Sequence, residues 1–124
     1  MVWFCPYCWH EVKEDDRTCP NCGANLESFH SLDFDSKLIL GLRNPVVQTR
    51  MFIIELIGKR KVKSAVQELC KLFRESSDTY ELIAIVDALH SIGTGEAIDC
   101  IRYVGFEKGN SVVEKHIQKL LSSL

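Results

Sequence analysis

Four of the six cysteines in this chain fall within eighteen residues, in the stretch "CPYCWHEVKEDDRTCPNCG" from Cys5 to Gly23. Cys5 and Cys8 form one Cys-Pro-x-Cys pair, and Cys19 and Cys22 form a second after ten intervening residues. Two such pairs supply four soft thiolates, the set that a closed tetrahedral metal site requires. Zinc is the expected ion, and iron in the same four-cysteine site is the alternative. A redox Cys-x-x-Cys pair needs a βαβ context, and none follows here. With every coordination position taken by protein, the site is structural and hydrolyses nothing. So short a segment has almost no apolar core, so metal binding must supply its folding free energy, on the order of 10 kcal/mol.

The intervening residues suit one small hairpin. Trp9 to Val12 can extend, Glu14-Asp15-Asp16 can turn, and Arg17-Thr18 can return. Gly23 follows the second pair, where a residue that tolerates positive φ is needed. His10 and His30 read as surface histidines beside a site that four cysteines already fill. Cys70 and Cys100 lie far downstream in helical sequence and read as small buried apolar residues.

Through Cys5-Pro6-Tyr7-Cys8 and Cys19-Pro20-Asn21-Cys22-Gly23-Ala24-Asn25-Leu26, residues 3–26 resemble the short zinc-ribbon module. Trp9 stands where that family has glycine after the first pair, which makes it a candidate contact residue.

The 124-residue chain is 46% hydrophobic and 26% charged, a globular composition with room for one domain and a small module. No apolar run approaches the ~18–20 residues that cross a bilayer. The start, Met1-Val2-Trp3-Phe4-Cys5, carries no basic and apolar leader, so a reducing, cytoplasmic setting is expected. Charge is uneven. Residues 1–36 hold seven acids and two bases, residues 37–63 seven bases and one acid, and residues 64–124 six bases and nine acids.

Residues 1–28 are assigned to the ribbon, 29–34 to a linker that Phe29, Leu32 and Phe34 can dock, and 35–124 to helical repeats. No segment beyond the ribbon alternates with the two-residue period of a strand. Asp78 with Glu81 forms a capping box, Ser111 with Glu114 repeats it, and Asn44 caps with Pro45 at the first helical position. Six helices are expected, at 35–43, 45–58, 62–74, 79–91, 95–106 and 111–123. A shift of 32 residues superposes them: Ala65-Val66 on Ala97-Ile98, Leu69 on Ile101, Ile53-Ile54 on Ile85-Val86, and Ile57 on Leu89. Such periodicity signals stacked helical hairpins that bury their apolar faces against each other.

The pattern resembles HEAT repeats of the short phycobilisome-lyase-like type, through "LRNPVVQTR" at 42–50 and "LIG" at 56–58. The second repeat departs from it, with Leu82 in place of Arg50 and His90 in place of Gly58. The resemblance implies a mostly α chain: a three-hairpin HEAT-like α-solenoid preceded by a small zinc ribbon, acting as a protein–protein interaction module. It also implies that the second helix of each hairpin lines the concave side. There the stripe runs Gln48, Phe52, Glu55, Lys59, then Tyr80, Ala84, Asp87, Ser91, then Val112, His116, Lys119, Ser123. Phe52, Tyr80 and His116 are its candidate partner contacts.

No Gly-rich phosphate loop, Gly-x-Ser-x-Gly or His-Glu-x-x-His occurs, so no enzyme activity is expected. "GKRKVK" at 58–63 sets Lys59, Arg60, Lys61 and Lys63 between two expected helices, where the helix dipole does not explain them. Three accounts remain: the bases simply solvate a loop, they meet an acidic partner or nucleic-acid phosphates, or they attract the ribbon's own Glu14-Asp15-Asp16. The alternative function is therefore a nucleic-acid-associated factor using this segment with Arg43 and Arg50.

Overall fold

The computed structural model describes residues 3–122. Among them a small two-stranded ribbon segment precedes seven α-helices, and the chain is mostly helical. Strand β1 (Trp3–Phe4) pairs antiparallel with β2 (Glu11–Val12), Trp3 opposite Val12 and Phe4 opposite Glu11. The expected pairing of Trp9–Val12 with Arg17–Thr18 does not form. Each Cys-x-x-Cys turn reverses the chain by itself, so its own flanks pair. Residues 3–4 meet 11–12 around the first turn, and Thr18 meets Asn25 around the second.

Helix α1 (Leu26–His30) occupies the end of the ribbon and the start of the expected linker. Asn25 nucleates it, its Oδ1 accepting the amides of Glu27 at 2.9 Å and Ser28 at 3.2 Å. Then follow α2 (Phe34–Gly41), α3 (Val47–Arg60) and α4 (Val66–Glu75), the last entered through a 3₁₀ turn at Lys63–Ala65. The remaining helices are α5 (Thr79–Ile92), α6 (Gly95–Glu107) and α7 (Ser111–Leu121).

Two expected caps move by a residue or more. Asn44 Oδ1 accepts the Val46 amide at 2.9 Å in a turn, Pro45 stays outside the helix, and α3 starts at Val47. Asn110 rather than Ser111 caps α7, accepting from Val112 at 3.0 Å and Val113 at 3.2 Å. An amide oxygen reaches two orphan donors at once there, so Ser111 enters the first turn. Asp78 does cap α5, accepting the Glu81 amide at 3.0 Å. Glu81, however, turns inward instead of back to the Asp78 amide, which Ser76 Oγ accepts at 3.3 Å.

The helices pair as α2 with α3, α4 with α5, and α6 with α7. The second members lie in chain order along one side, α3 on α5 on α7, and α4 lies on α6 along the other. No extended contact joins α2 to α7, so the first and last pairs do not close on each other. The 32-residue shift reappears as burial: Ile54 and Val86, Ile57 and Leu89, Leu69 and Ile101, and Ala65 and Ala97 all lie in one core. Val113 and Ile117 seal its C-terminal end, with Leu120 and Leu121 half-covered, while Lys115, Gln118, Lys119 and Ser122 face solvent. Ser123 and Leu124, expected on the stripe and on the inner face, lie outside the described residues. The ribbon has its own small core of Cys5, Cys19 and Leu26. No described helix is long and apolar enough to cross a membrane.

Cys70 and Cys100 are not merely buried apolar residues. They are joined as a disulfide between α4 and α6, across 6.1 Å of Cα separation. Their 30-residue spacing falls two short of the repeat. Residues two apart on a helix point about 200° away from each other. One cysteine therefore faces forward to the next pair while the other faces back.

Candidate metal centre

Both halves of the ribbon are built alike. In the first, the Trp9 amide donates to Cys5 O at 2.8 Å and the Cys5 amide to His10 O at 2.9 Å. In the second, the Gly23 amide donates to Cys19 O and the Cys19 amide to Ala24 O, both at 2.9 Å. A shift of fourteen residues thus relates the knuckles, Cys5 and Cys8 answering to Cys19 and Cys22. Trp9 and Gly23 take the same left-handed backbone, φ 64° and 78°. Glycine adopts that conformation freely, whereas a residue with a Cβ pays roughly 1–2 kcal/mol. Trp9 is half-buried, and its Nε1 has no hydrogen-bond partner among the described residues.

The two turns bring all four sulfurs within 4.8 Å of one another. Cys5 Sγ lies 3.7 Å from Cys22 Sγ, and Cys8 Sγ lies 3.6 Å from Cys19 Sγ. A tetrahedral ion with metal–sulfur bonds of ~2.3 Å has sulfur–sulfur edges of ~3.8 Å. The cage therefore has the size of a tetrahedral metal–thiolate site. Amides stabilise the negative sulfurs: Tyr7 N donates to Cys5 Sγ at 3.4 Å, and Asn21 N and Cys22 N to Cys19 Sγ at 3.4 and 3.5 Å.

Asn21, which the spacing alone did not single out, also sends its side-chain Nδ2 to Cys8 Sγ at 3.5 Å. That bond, followed by the His10 amide, pulls the Cys8 thiol down to about 6. At Cys22 the Ala24 amide also pulls down, but desolvation and the neighbouring sulfurs of Cys8, Cys19 and Cys5 outweigh it and push the thiol up to about 12. Four thiolates in so small a volume need a cation. A divalent, thiophilic ion would be held by Cys5, Cys8, Cys19 and Cys22, with release of the protons that remain.

The other sequence candidates fall into two places. Phe52, Glu55 and Lys59 on α3, and Tyr80 and Asp87 on α5, line one groove of about 620 Å³. His116 approaches from α7, its Nε2 donating to Asp87 Oδ1 at 2.6 Å. Met51 and Ile83, which the stripe did not include, line the same groove.

The basic segment differs from the expectation. Helix α3 runs on to Arg60, so Lys59 and Arg60 occupy its last turn, where cations favour the helix dipole. Lys61 ends it in the left-handed conformation, φ 51°. Lys59 pairs with Glu55 at 3.3 Å, and Arg60 with Asp35 at 2.8 Å rather than with the ribbon's acids.

One buried polar cluster had no signal in the sequence. Glu81, 1% exposed, receives Arg50 Nε at 2.7 Å, Arg50 Nη2 at 3.2 Å and Ser76 Oγ at 2.6 Å. Arg50 belongs to α3 and Glu81 to α5, so the pairing depends on the packing of two consecutive helix pairs.

Residues 4–26 match the family model of a zinc-ribbon domain, so the N-terminal segment is a zinc ribbon with four cysteines positioned to bind a metal ion. No curated protein matches the chain, and no solved structure does.

Proposed function

We propose that this chain is a non-catalytic protein–protein interaction module, a structural zinc ribbon joined to three HEAT-like hairpins stacked as an open solenoid. The hairpins are α2–α3, α4–α5 and α6–α7. The in-order packing of α3, α5 and α7, and the separation of α2 from α7, support the solenoid over a closed bundle. Zinc suits a closed four-thiolate cage, and a reducing cytoplasm would keep those four thiolates available.

The α3–α5 groove carries the functional reading. Phe52 is 62% exposed and Tyr80 75%, on the rim of a largely apolar floor. Aromatics left in water above a concave apolar surface are what a partner covers with profit in free energy. Glu55, Lys59 and Asp87 supply the polar rim that sets the partner's register.

The test is native co-purification followed by mass spectrometry, comparing the wild-type chain with a Phe52→Ser/Tyr80→Ser variant of equal thermal stability. Partners retained by the wild type and lost by the variant support the groove. Equal retention by both overturns it. The second reading, a nucleic-acid-associated factor, draws on Lys61 and Lys63, whose side chains have no ion-pair partner among the described residues. Binding to a duplex that falls steeply with salt, and falls again on removal of both lysines, would favour it instead.

A further inference from the structure

Cys70 and Cys100 line a cleft of about 310 Å³ between α4 and α6, which shares no lining residue with the proposed partner groove. The two sulfurs differ in access. Cys100 is 7% exposed, whereas Cys70 is only half-buried. Their surroundings differ too. Arg74 follows Cys70 by one helical turn and lines the same cleft, while Glu96 and Asp99 flank Cys100. Positive charge favours a thiolate and negative charge opposes one, so Cys70 is the better nucleophile on both counts.

We propose that Cys70 and Cys100 form a reversible dithiol–disulfide couple, a modification site that exchanges with small-molecule disulfides through this cleft. The Cys70 thiolate attacks one sulfur of a small disulfide, forms a mixed disulfide and releases one small thiolate. The Cys100 thiolate then attacks the Cys70 sulfur, closes the α4–α6 staple and releases the second. Two electrons pass to the small disulfide, and the two protein thiol protons end on the two released thiols. The four ribbon cysteines stay outside this chemistry while they hold their ion. The chain therefore carries two cysteine populations with opposite needs, one kept as thiolate by metal and one free to cycle. The staple joins the first helices of two consecutive pairs, so its closure fixes how those pairs stack.

The full chain, purified without chelator, is equilibrated in buffers of stepped oxidised-to-reduced glutathione ratio. It is then trapped with an alkylating reagent and mapped by mass spectrometry. The expected result is the loss of two alkylatable thiols, at Cys70 and Cys100, fully restored by reduced glutathione. In Cys100→Ser, glutathione should remain on Cys70, and Cys70→Ser should take up glutathione at Cys100 more slowly. The proposal is overturned if wild-type protein stays oxidised in reduced glutathione or stays reduced in oxidised glutathione. It is also overturned if the ribbon cysteines pair with either one, or if the two single variants are labelled equally fast.

Discussion

Replacing Arg50 by leucine should destabilise the helical body more than any surface change in the chain. Glu81 is 1% exposed at its side chain and Arg50 19%, so the carboxylate has its neighbours in place of water as hydrogen-bond partners. In Arg50→Leu it keeps only the Ser76 hydroxyl, at 2.6 Å. Removing one member of a buried pair costs about 3–5 kcal/mol, because a charge is stranded away from water. At roughly 4–8 °C per kcal/mol for a body of this size, the melting temperature should fall by about 20 °C. Glu81→Leu should cost less, about 2–3 kcal/mol, since the guanidinium keeps the Asn44 carbonyl at 2.8 Å and some solvent. The double variant Arg50→Leu/Glu81→Leu removes both charges and should recover most of the loss, as apolar replacements of buried pairs do. Urea and thermal unfolding of the four proteins, followed by far-ultraviolet circular dichroism, gives the coupling energy directly. If the two single effects simply add, to within about 0.5 kcal/mol, the pair is not interacting as a buried unit and the reasoning fails.

Three further outcomes follow from the same geometry. Stripping metal with a chelator, or Cys19→Ser, should abolish the β1–β2 pairing while leaving helical circular dichroism nearly intact, because the two cores are separate; elemental analysis of untreated protein should find one ion per chain. Gly58→Ala should cost about 1–3 kcal/mol, since its Cβ would lie 3.0 Å from the Ala88 backbone where α3 crosses α5, whereas Gly95→Ala, with open space around it, should be neutral or slightly stabilising in the same unfolding assay. Lys61→Gly should stabilise by about 1 kcal/mol, because an exposed lysine now holds the left-handed end of α3; an unchanged or lower unfolding midpoint would contradict that assignment.

What the sequence displayed was chemistry tied to local spacing. The four ribbon ligands are legible because residue type and a three-residue step suffice to build each turn, and geometry adds only Asn21 and the left-handed Trp9. The helices α3 to α7 are legible because apolar residues recur with both the helical and the 32-residue period. Their ends are less so: Asn44 and Ser111 read as caps, but Asn44 bonds a turn ahead of α3 and Asn110 takes the cap of α7. Helix α1 was hidden because five residues are too few to show a period. Contacts between repeats were the least visible. Cys70–Cys100 and Arg50–Glu81 are separated by 30 and 31 residues, near the repeat but out of phase with it, so superposing repeats puts neither pair together.

The lopsided charge of the chain finds an explanation in contacts within the first pair of helices and from it to the second. Residues 37–63 hold seven bases, and most are already engaged. Lys37 sits 5.2 Å above the Phe29 ring, Arg43 meets Glu68 at 3.2 Å, Arg50 meets Glu81, Lys59 meets Glu55, and Arg60 meets Asp35 while lying 4.9 Å above the Phe34 ring. Glu68 and Glu81 come from the acidic C-terminal block and Asp35 from the acidic N-terminal block. The first pair of helices is thus the cation-bearing member, matched to Asp35 and Glu55 within it and to Glu68 and Glu81 in the next pair. Exposed pairs of this kind contribute only about 0–1 kcal/mol each, so their sum says little about stability. They say more about register. Arg60–Asp35 fixes the end of α3 to the start of α2, and Arg43–Glu68 and Arg50–Glu81 fix the first pair to the second. A polyanion approaching this segment would meet Lys61 and Lys63 as unpaired charge and would have to compete with carboxylates for the rest.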